Sequence, residues 1–266
     1  IIFLYLSMSG HSKWSTIRHK KAANDAKKGK IFSKLSTQIT HAAKQGGGDP
    51  EMNPTLRLYI DKAKREGFPV DNIEKAIAKG TGESIDGVSF EEATYEGFGP
   101  AKVQIIVDVL TDNKNRTVAD LRKLFEEIGG NLGEEGSVSW NFDVRGQIIL
   151  RSGHMEEAEK YGADDKYVPE DREEVMMKIM DIEGVEDIKE VDIDGVEGIE
   201  VYTKYSDLIK VRDAISDMGY VIEEAEIVKE PKMTKKISEE DIDKVPSALE
   251  RLEEMDEVQN IWTDLE

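Results

Sequence analysis

The stretch "ATYEGFGPAKVQIIVDVL", from Ala93 to Leu110, marks the point where helical patterning gives way to strand patterning. Its two halves, "ATYEGFG" and "AKVQIIVDVL", carry β-branched and aromatic residues on either side of a "GFGP" turn at Gly97–Pro100. Runs of this kind separated by Gly and Pro predict two strands around a turn. We therefore expect a sheet to begin here, after a helical N-terminal part.

The residues that follow predict a loop, a helix and a further strand. "TDNKNR", starting at Thr111, is typical of a loop, and Thr117 and Asp120 are typical of a helix start. A Gly-Gly pair beginning at Gly129 predicts the end of that helix. "GSVSWNFD", starting at Gly136, predicts another strand. The core face of the helix is expected to contain Val118, Leu121, Phe125 and Ile128.

Three helices are predicted before these strands. Apolar residues repeat at helical spacing from Ile31 to Ala43, and "QGGGDP", from Gln45, ends that helix. Asn53, directly before a proline, predicts the N-cap of a second helix. "DNIE", starting at Asp71, resembles the capping box of a third helix. One shared apolar side predicts a small helical bundle.

The C-terminal half predicts an inserted domain. From Gln147 the expected elements follow the order βαββαβ, which is the ferredoxin-like order. The final segments, including "VQNIWTDL", lack a sheet of their own, so we expect them to complete the sheet of residues 88–143. The predicted fold class is α+β, with an N-terminal three-helix domain followed by two α/β domains, one ferredoxin-like and inserted into the other. The expected domains are residues 8–84, residues 85–143 plus 230–266, and residues 144–229.

Charge is divided unevenly along the chain. The whole protein has a formal net charge of −20, but residues 1–80 carry +8 and residues 81–266 carry −28. "GHSKWSTIRHKKAANDAKKGKIFSKL", from Gly10 to Leu35, holds eight Lys or Arg and one acid, Asp25. We interpret residues 10–28 as a basic arm outside the core. Such asymmetry predicts one end that binds a polyanion and an acidic body.

Several functional classes leave no signal in the sequence. The chain has no Cys, and its four His show no metal-ligand spacing. "GGNLGEEG", from Gly129, lacks the Lys-Ser/Thr of a phosphate-binding loop and the setting of a dinucleotide fingerprint. The apolar opening "IIFLYLS" is too short for a membrane span. We expect a cytoplasmic protein that is not an enzyme, with no catalytic residues, metal, cofactor, required small ligand or membrane partner.

The arm carries side chains suited to nucleic acid. Lys and Arg neutralise phosphates and release counterions, and hydrogen-bonding side chains contact sugar or phosphate. Trp14 has two readings: it stacks on a base, or it folds back onto the helical bundle. Composition alone does not choose between DNA and RNA. The candidate residues in the arm are Lys13, Trp14, Arg18, His19, Lys20, Lys21, Asn24, Lys27, Lys28 and Lys30.

A second candidate lies in "TDNKNRT", which starts at Thr111. Backbone N–H groups at the start of the following helix favour an anion there. Ordinary loop and capping chemistry explains the same residues equally well. The candidate nucleic-acid contacts in this loop are Asn113, Lys114, Asn115 and Arg116.

Five blocks together resemble the YebC family in order and spacing. They lie between Gly10 and Trp140 and consist of the arm, "GGGDPEMNPTLR", "YEGFGP", "TDNKNRT" and "GGNLGEEGSVSW". In that family the first block directly follows the initiator Met, which implies that Met8 is the start. The family fold is an N-terminal helical domain plus two α/β domains. The stretch from His154 to Glu174 looks longer than the usual family connection.

The resemblance implies two functional tracks. YebC-like proteins are commonly described as DNA-binding transcriptional regulators. Some are regarded as translation factors that act on ribosomes stalled at proline-rich stretches, and a mitochondrial relative is a translational activator of cytochrome oxidase. The expected partner is therefore ribosomal RNA or the ribosome, with duplex DNA as the alternative. We favour the ribosome, because a Lys-rich arm with one Trp suits RNA read by shape and phosphate. A protein-interaction scaffold is the third class.

Overall fold

The computed structural model describes residues 25–82, 90–156, 166–193 and 195–266, with side chains from residue 28 onward within the first range. The helices are α1 (Asp25–Gly46), α2 (Pro54–Arg65), α3 (Val70–Gly80), α4 (Lys114–Glu127), α5 (Arg172–Met180), α6 (Leu208–Asp217) and α7 (Lys244–Glu253). The strands are β1 (Glu91–Phe98), β2 (Gln104–Thr111), β3 (Asn131–Leu132), β4 (Phe142–Glu156), β5 (Lys166–Pro169), β6 (Val185–Ile193), β7 (Val196–Lys204), β8 (Tyr220–Pro231) and β9 (Val258–Thr263).

The three N-terminal helices form the expected bundle. Asn53 caps α2, since its Oδ1 accepts from the Leu56 N–H at 3.1 Å. Its Nδ2 also donates to the carbonyls of Ala42 and Gly47, both at 2.8 Å, so one amide joins the end of α1 to the start of α2. The bundle core contains Leu35, Ile39, Ala42, Ala43, Leu56, Ile60, Ala63, Phe68, Ile73 and Ala76.

Two N-terminal predictions are wrong at their boundaries. The capping box at Asp71 does not form: α3 begins at Val70 after Pro69, which has no side chain able to cap. Proline fixes its own φ near the helical value, which allows the helix to start without an Asp cap. Residues 25–28, expected in the arm, belong to α1.

The first sheet has the strand order β3-β1-β2-β9. β1 and β2 pair antiparallel, which confirms the two strands. The turn predicted at Gly97–Pro100 is wrong at its boundaries: Gly97 and Phe98 pair within β1, and the connection is a short 3-10 turn at Pro100–Lys102. β9 pairs antiparallel with β2, so the C-terminal tail completes this sheet as expected. Helices α4 and α7 supply the apolar partners, and the shared core includes Val107, Leu121, Phe125, Leu249, Leu252 and Val258.

Two predictions next to this sheet are wrong. Helix α4 begins at Lys114 and not at Thr117, because Asn113 caps it: the Asn113 Oδ1 accepts from the Arg116 N–H at 3.1 Å. "GSVSWNFD" is not a strand along its length; residues Ser139–Asn141 form a 3-10 turn and β4 starts at Phe142. Backbone N–H groups of this segment donate to the carboxylate of Glu96. They are therefore not available for hydrogen bonds to a neighbouring strand.

The second sheet has the ferredoxin-like order β8-β4-β7-β6, with β5 added on β4. β7 pairs antiparallel with both β4 and β6. Helices α5 and α6 pack on these strands and bury Val175, Ile179, Val211 and Ile215. β5 lies in the long connection after His154 and pairs with the end of β4. The predicted fold class is confirmed, including the insertion of one α/β domain into the other.

Contacts divide the chain into two compact units. The larger one contains the chain up to Asp143 together with Glu230–Glu266, and the smaller one is Val144–Lys229. The helical bundle and the first sheet fall in one unit. A domain boundary at residue 84 therefore stays a prediction.

Candidate nucleic-acid interface

The predicted arm falls largely outside the described residues. Lys27 lies in α1, and Lys28 is exposed near the start of that helix. Both readings of Trp14, base stacking and packing on the bundle, stay predictions. The arm candidates that lie outside the described part are Lys13, Trp14, Arg18, His19, Lys20, Lys21 and Asn24.

The first described turns of α1 are anchored to the end of α7. Lys30 Nζ donates to the Glu254 carbonyl at 3.1 Å, and Lys34 Nζ donates to the Glu253 carbonyl at 2.8 Å. A cation is stabilised at a helix C-terminus, where the last carbonyls lack partners within the helix. Lys30 therefore has a structural contact in addition to its predicted role.

Sequence reasoning missed Lys34 because its partner is 219 residues away in the chain. The only available signal was its place in a run of Lys that is almost free of acids. The anchor sets the position at which the preceding basic residues join the described structure. It also brings Lys30 and Lys34 into contact with the C-terminal end of α7, in the acidic part of the chain.

The second candidate, the segment after β2, is held together by its own side chains. The hydroxyls of Thr111 and Thr117 lie 2.8 Å apart, and both residues are fully buried. Thr111 Oγ1 accepts from the Asn113 N–H at 2.9 Å. Asn113 is thus oriented as the cap of α4. The hydroxyl pair and the cap explain why the motif has Thr and Asn at these positions.

Both cations of this segment have acidic neighbours. Arg116 Nη2 lies 2.7 Å from Asp112 and 3.3 Å from Glu257. The negative charge of Asp112, with hydrogen bonds to Glu257 and Asp112, raises the pKa of Arg116 further. Lys114 Nζ lies 3.0 Å from Glu91. Asn115 is exposed on the first turn.

The four predicted residues are therefore brought together at one end of α4, with capping and ion pairing already assigned to three of them. Exposed ion pairs contribute only about 0–1 kcal/mol, so a phosphate can compete for Lys114 and Arg116. The acids around them oppose that exchange. A nucleic-acid role for this loop stays a prediction, and its structural role is the one with observed contacts.

The sequence analysis did not single out Glu96, in "YEGFGP", a buried carboxylate that holds a neighbouring loop. Its side chain is 6% exposed and accepts from the N–H groups of Gly136, Val138 and Ser139 at 3.0, 2.8 and 2.9 Å. Burial raises the pKa of Glu96, but these hydrogen bonds outweigh burial and hold the pKa below its ordinary value. Glu96 therefore clamps the "GGNLGEEGSVSW" loop in its ionised form.

In the described ranges, His, Asp and Glu side chains form no group of three that could hold a metal ion. Among the described helices, none combines the length and apolar character needed to cross a bilayer.

Known proteins share this arrangement of a helical bundle followed by two α/β domains. Residues 12–83 match the family model of the TACO1/YebC protein N-terminal domain, and residues 90–265 match that of the TACO1/YebC second and third domain. The chain belongs to the TACO1/YebC family, which confirms the resemblance of the five sequence blocks.

Individual relatives match along nearly the whole chain. A protein of Dictyoglomus turgidum is 45% identical over 259 residues, covering 97% of this chain and 96% of the relative. One of Geobacter sulfurreducens is 44% identical over 264 residues, with the same coverage. Both are named as a probable transcriptional regulatory protein. The crystal structure of a conserved hypothetical protein from Aquifex aeolicus matches with a TM-score of 0.78 at 37% identity, covering 96% of each chain.

Proposed function

We propose that this protein is a nucleic-acid-binding regulator of gene expression that acts on the ribosome through its basic N-terminal segment, the stretch from Gly10 to Leu35. The observation that carries the proposal is the charge division: +8 in residues 1–80 against −28 in the remainder. A polyanion attracts one end and repels the other, so only the basic end approaches it. The charge division orients the molecule on its target.

RNA suits this segment better than duplex DNA. Sequence-specific DNA binding needs an element that reads base edges in the major groove, and the sequence carries no zinc-finger signature for such a reader. A Lys-rich segment with Trp14 fits phosphate contact and base stacking on structured RNA. In this proposal the protein is not an enzyme: it positions groups on ribosomal RNA or tRNA and so relieves stalling at proline-rich stretches, while catalysis belongs to the ribosome.

A DNA-binding transcriptional regulator is the second candidate. The names of the bacterial relatives favour it, since they describe probable transcriptional regulatory proteins. Phosphate contacts by the same lysines would serve either polyanion. The two candidates differ in what the protein discriminates: a ribosome-bound factor recognises RNA shape, and a transcriptional regulator distinguishes among duplex sequences.

Co-sedimentation with ribosomes tests the proposal. The full chain is compared with a variant in which Lys13, Arg18, Lys20 and Lys21 are changed to Gln. We expect the unaltered chain to pellet with ribosomes at physiological salt and the variant to stay in the supernatant. A parallel titration with several duplex DNA sequences measures discrimination. Equal pelleting of both chains, or strong preference for one duplex sequence, would contradict the ribosomal role.

A further inference from the structure

An exposed tryptophan stands on the larger unit outside the basic segment. Trp140 is 53% exposed, in the 3-10 turn Ser139–Asn141. An exposed aromatic ring whose position is fixed is a preorganised surface on which a base can stack. Two separate sets of hydrogen bonds fix it.

The first set lies on the N-terminal side of the ring. Three backbone N–H groups between Gly136 and Ser139 bond to the buried carboxylate of Glu96. The Gly133 N–H donates to the Glu96 carbonyl at 2.7 Å, so the same residue holds the loop at both ends. The indole Nε1–H of Trp140 donates to the Ser137 carbonyl at 3.1 Å. This bond ties the ring to the clamped loop, and the residue is still 53% exposed.

The second set lies on the C-terminal side. Asn141 is 1% exposed, and its Nδ2 donates to Gln104 Oε1 at 2.8 Å and to the Met233 carbonyl at 2.9 Å. Its Oδ1 accepts from the Met233 N–H at 3.0 Å. Its backbone carbonyl accepts from the Lys232 N–H at 2.7 Å. Trp140 is therefore held between two hydrogen-bonded neighbours before any partner arrives.

Positive charge lies next to the ring. Lys232 Nζ donates to the Trp140 carbonyl at 3.1 Å and also lies 3.1 Å from Asp143. Three residues further along, Lys235 Nζ donates to the Lys102 carbonyl at 3.2 Å. Three residues of chain span at most about 11 Å, so Lys235 lies in the same region of the larger unit as Lys232 and Trp140. The segment from Lys232 to Lys236 contains three Lys and no acid in a strongly acidic part of the chain.

We propose that Trp140 is a second nucleic-acid contact, on which one base of a single-stranded segment stacks while Lys232 binds a flanking phosphate. The proposal rests on the proposed function, because it adds a contact for the same polyanion. Stacking on a rigid aromatic ring tolerates any base, and neighbouring cations hold the backbone. The ion pair of Lys232 with Asp143 is exposed and contributes little free energy, so a phosphate can replace Asp143 as the partner of Lys232.

Binding of a fluorescently labelled single-stranded RNA of mixed sequence tests this contact. Trp140→Ala should weaken binding by about 5- to 150-fold, the range for loss of one stacked base. Trp140→Phe should retain most of the affinity and also guards against a folding defect in the Ala variant. Tyr205→Ala removes a 62% exposed aromatic residue of the other unit and should leave the affinity unchanged.

Salt dependence separates this contact from that of the N-terminal segment. Trp140→Ala should leave the slope of log affinity against log salt unchanged, since stacking releases no counterion, whereas Lys232→Gln should reduce it by about 0.7. Unchanged RNA affinity in folded Trp140→Ala overturns the proposal and assigns the ring to a protein partner. The proposed function fails separately, when neutralising Lys13, Arg18, Lys20 and Lys21 leaves RNA affinity unchanged.

Discussion

At the residue scale, three polar side chains fix loops of the larger unit through hydrogen bonds to backbone groups. Asn53 joins α1 to α2, Asn113 starts α4, and Glu96 clamps the loop before β4. Each satisfies backbone groups that the neighbouring helix or strand leaves without a partner. Loop positions in this protein therefore depend on side chains that apolar periodicity does not reveal.

Asn113→Ala should lower the free energy of unfolding by about 0.5–2 kcal/mol, the usual cost of losing an N-cap. The Arg116 N–H loses its acceptor, and the turn that presents Lys114 frays. Asn115→Ala is the matched control, because Asn115 is exposed on the first turn of the same helix and Ala is the better helix former. Urea unfolding of both variants makes the comparison. Equal losses in the two variants would show that the cap is not what starts the helix.

Protonation of Glu96 at acidic pH should lower the free energy of unfolding. Its folded pKa lies below the ordinary value of 4.5, so the unfolded chain binds the proton more readily. The stabilisation is fully present above about pH 4.5 and is lost as pH falls through the folded pKa. Glu96→Gln should remove this part of the pH dependence and cost about 1–3 kcal/mol at pH 7 for each N–H left without an acceptor. Unfolding measured from pH 7 to pH 3 tests it, and parallel curves for the two proteins would contradict it.

At the element scale, close approach of α1 and α3 holds the bundle together. A Cβ at Gly80 would lie 2.3 Å from the Thr40 carbonyl oxygen and 2.7 Å from the Ala43 Cβ. Thr40 Oγ1 donates across the same contact to the Ala76 carbonyl at 3.1 Å. Only glycine at position 80 allows the two helices to come this near.

Gly80→Ala should therefore destabilise the protein by about 1–3 kcal/mol, the usual cost of overpacking. Gly29→Ala is the opposite control: Gly29 is exposed in α1, and a Cβ there meets nothing within 4 Å. It should stabilise the protein by about 0.5–1 kcal/mol, through helix propensity alone. Thermal unfolding of the two variants should shift in opposite directions. A gain in stability for Gly80→Ala would contradict the observed helix packing.

Apolar periodicity, together with Gly, Pro and capping residues at the boundaries, predicted most helices and strands, because local residue patterns determine them. The spacing from Ile31 to Ala43 and the βαββαβ order each predicted the observed elements, whereas the turn predicted at Gly97–Pro100 lies at Pro100–Lys102. Sequence patterns do not reveal contacts between residues that are far apart in the chain. Lys34 binds a carbonyl near the C-terminus. The strand expected at Gly136 does not form, because its N–H groups bond to Glu96, 40 residues earlier. The sequence predicts Trp140 within that strand, whereas the structure shows it exposed on a 3-10 turn.

At the scale of the whole molecule, opposite charges are kept at opposite ends of the sequence. In the proposed function, the first 80 residues, at +8, attract a polyanion, and the acidic remainder, at −28, is repelled by it. Lys30 and Lys34 attach the start of α1 to the carbonyls at the end of α7. The described start of the basic segment is thereby joined to the acidic remainder of the chain by two hydrogen bonds.

The salt dependence of binding to a structured RNA tests the central claim most directly. Lys30 and Lys34 donate to helix-end carbonyls, and we expect the other six cations between Gly10 and Leu35 to contact phosphate, so log affinity should fall against log salt with a slope of about −5. Changing Lys20, Lys21, Lys27 and Lys28 to Gln should flatten that slope by about 3. The matched control, with Gln at the exposed positions Lys123, Lys166, Lys204 and Lys210, should leave the slope unchanged. An identical slope for the unaltered chain and the first variant would contradict the account.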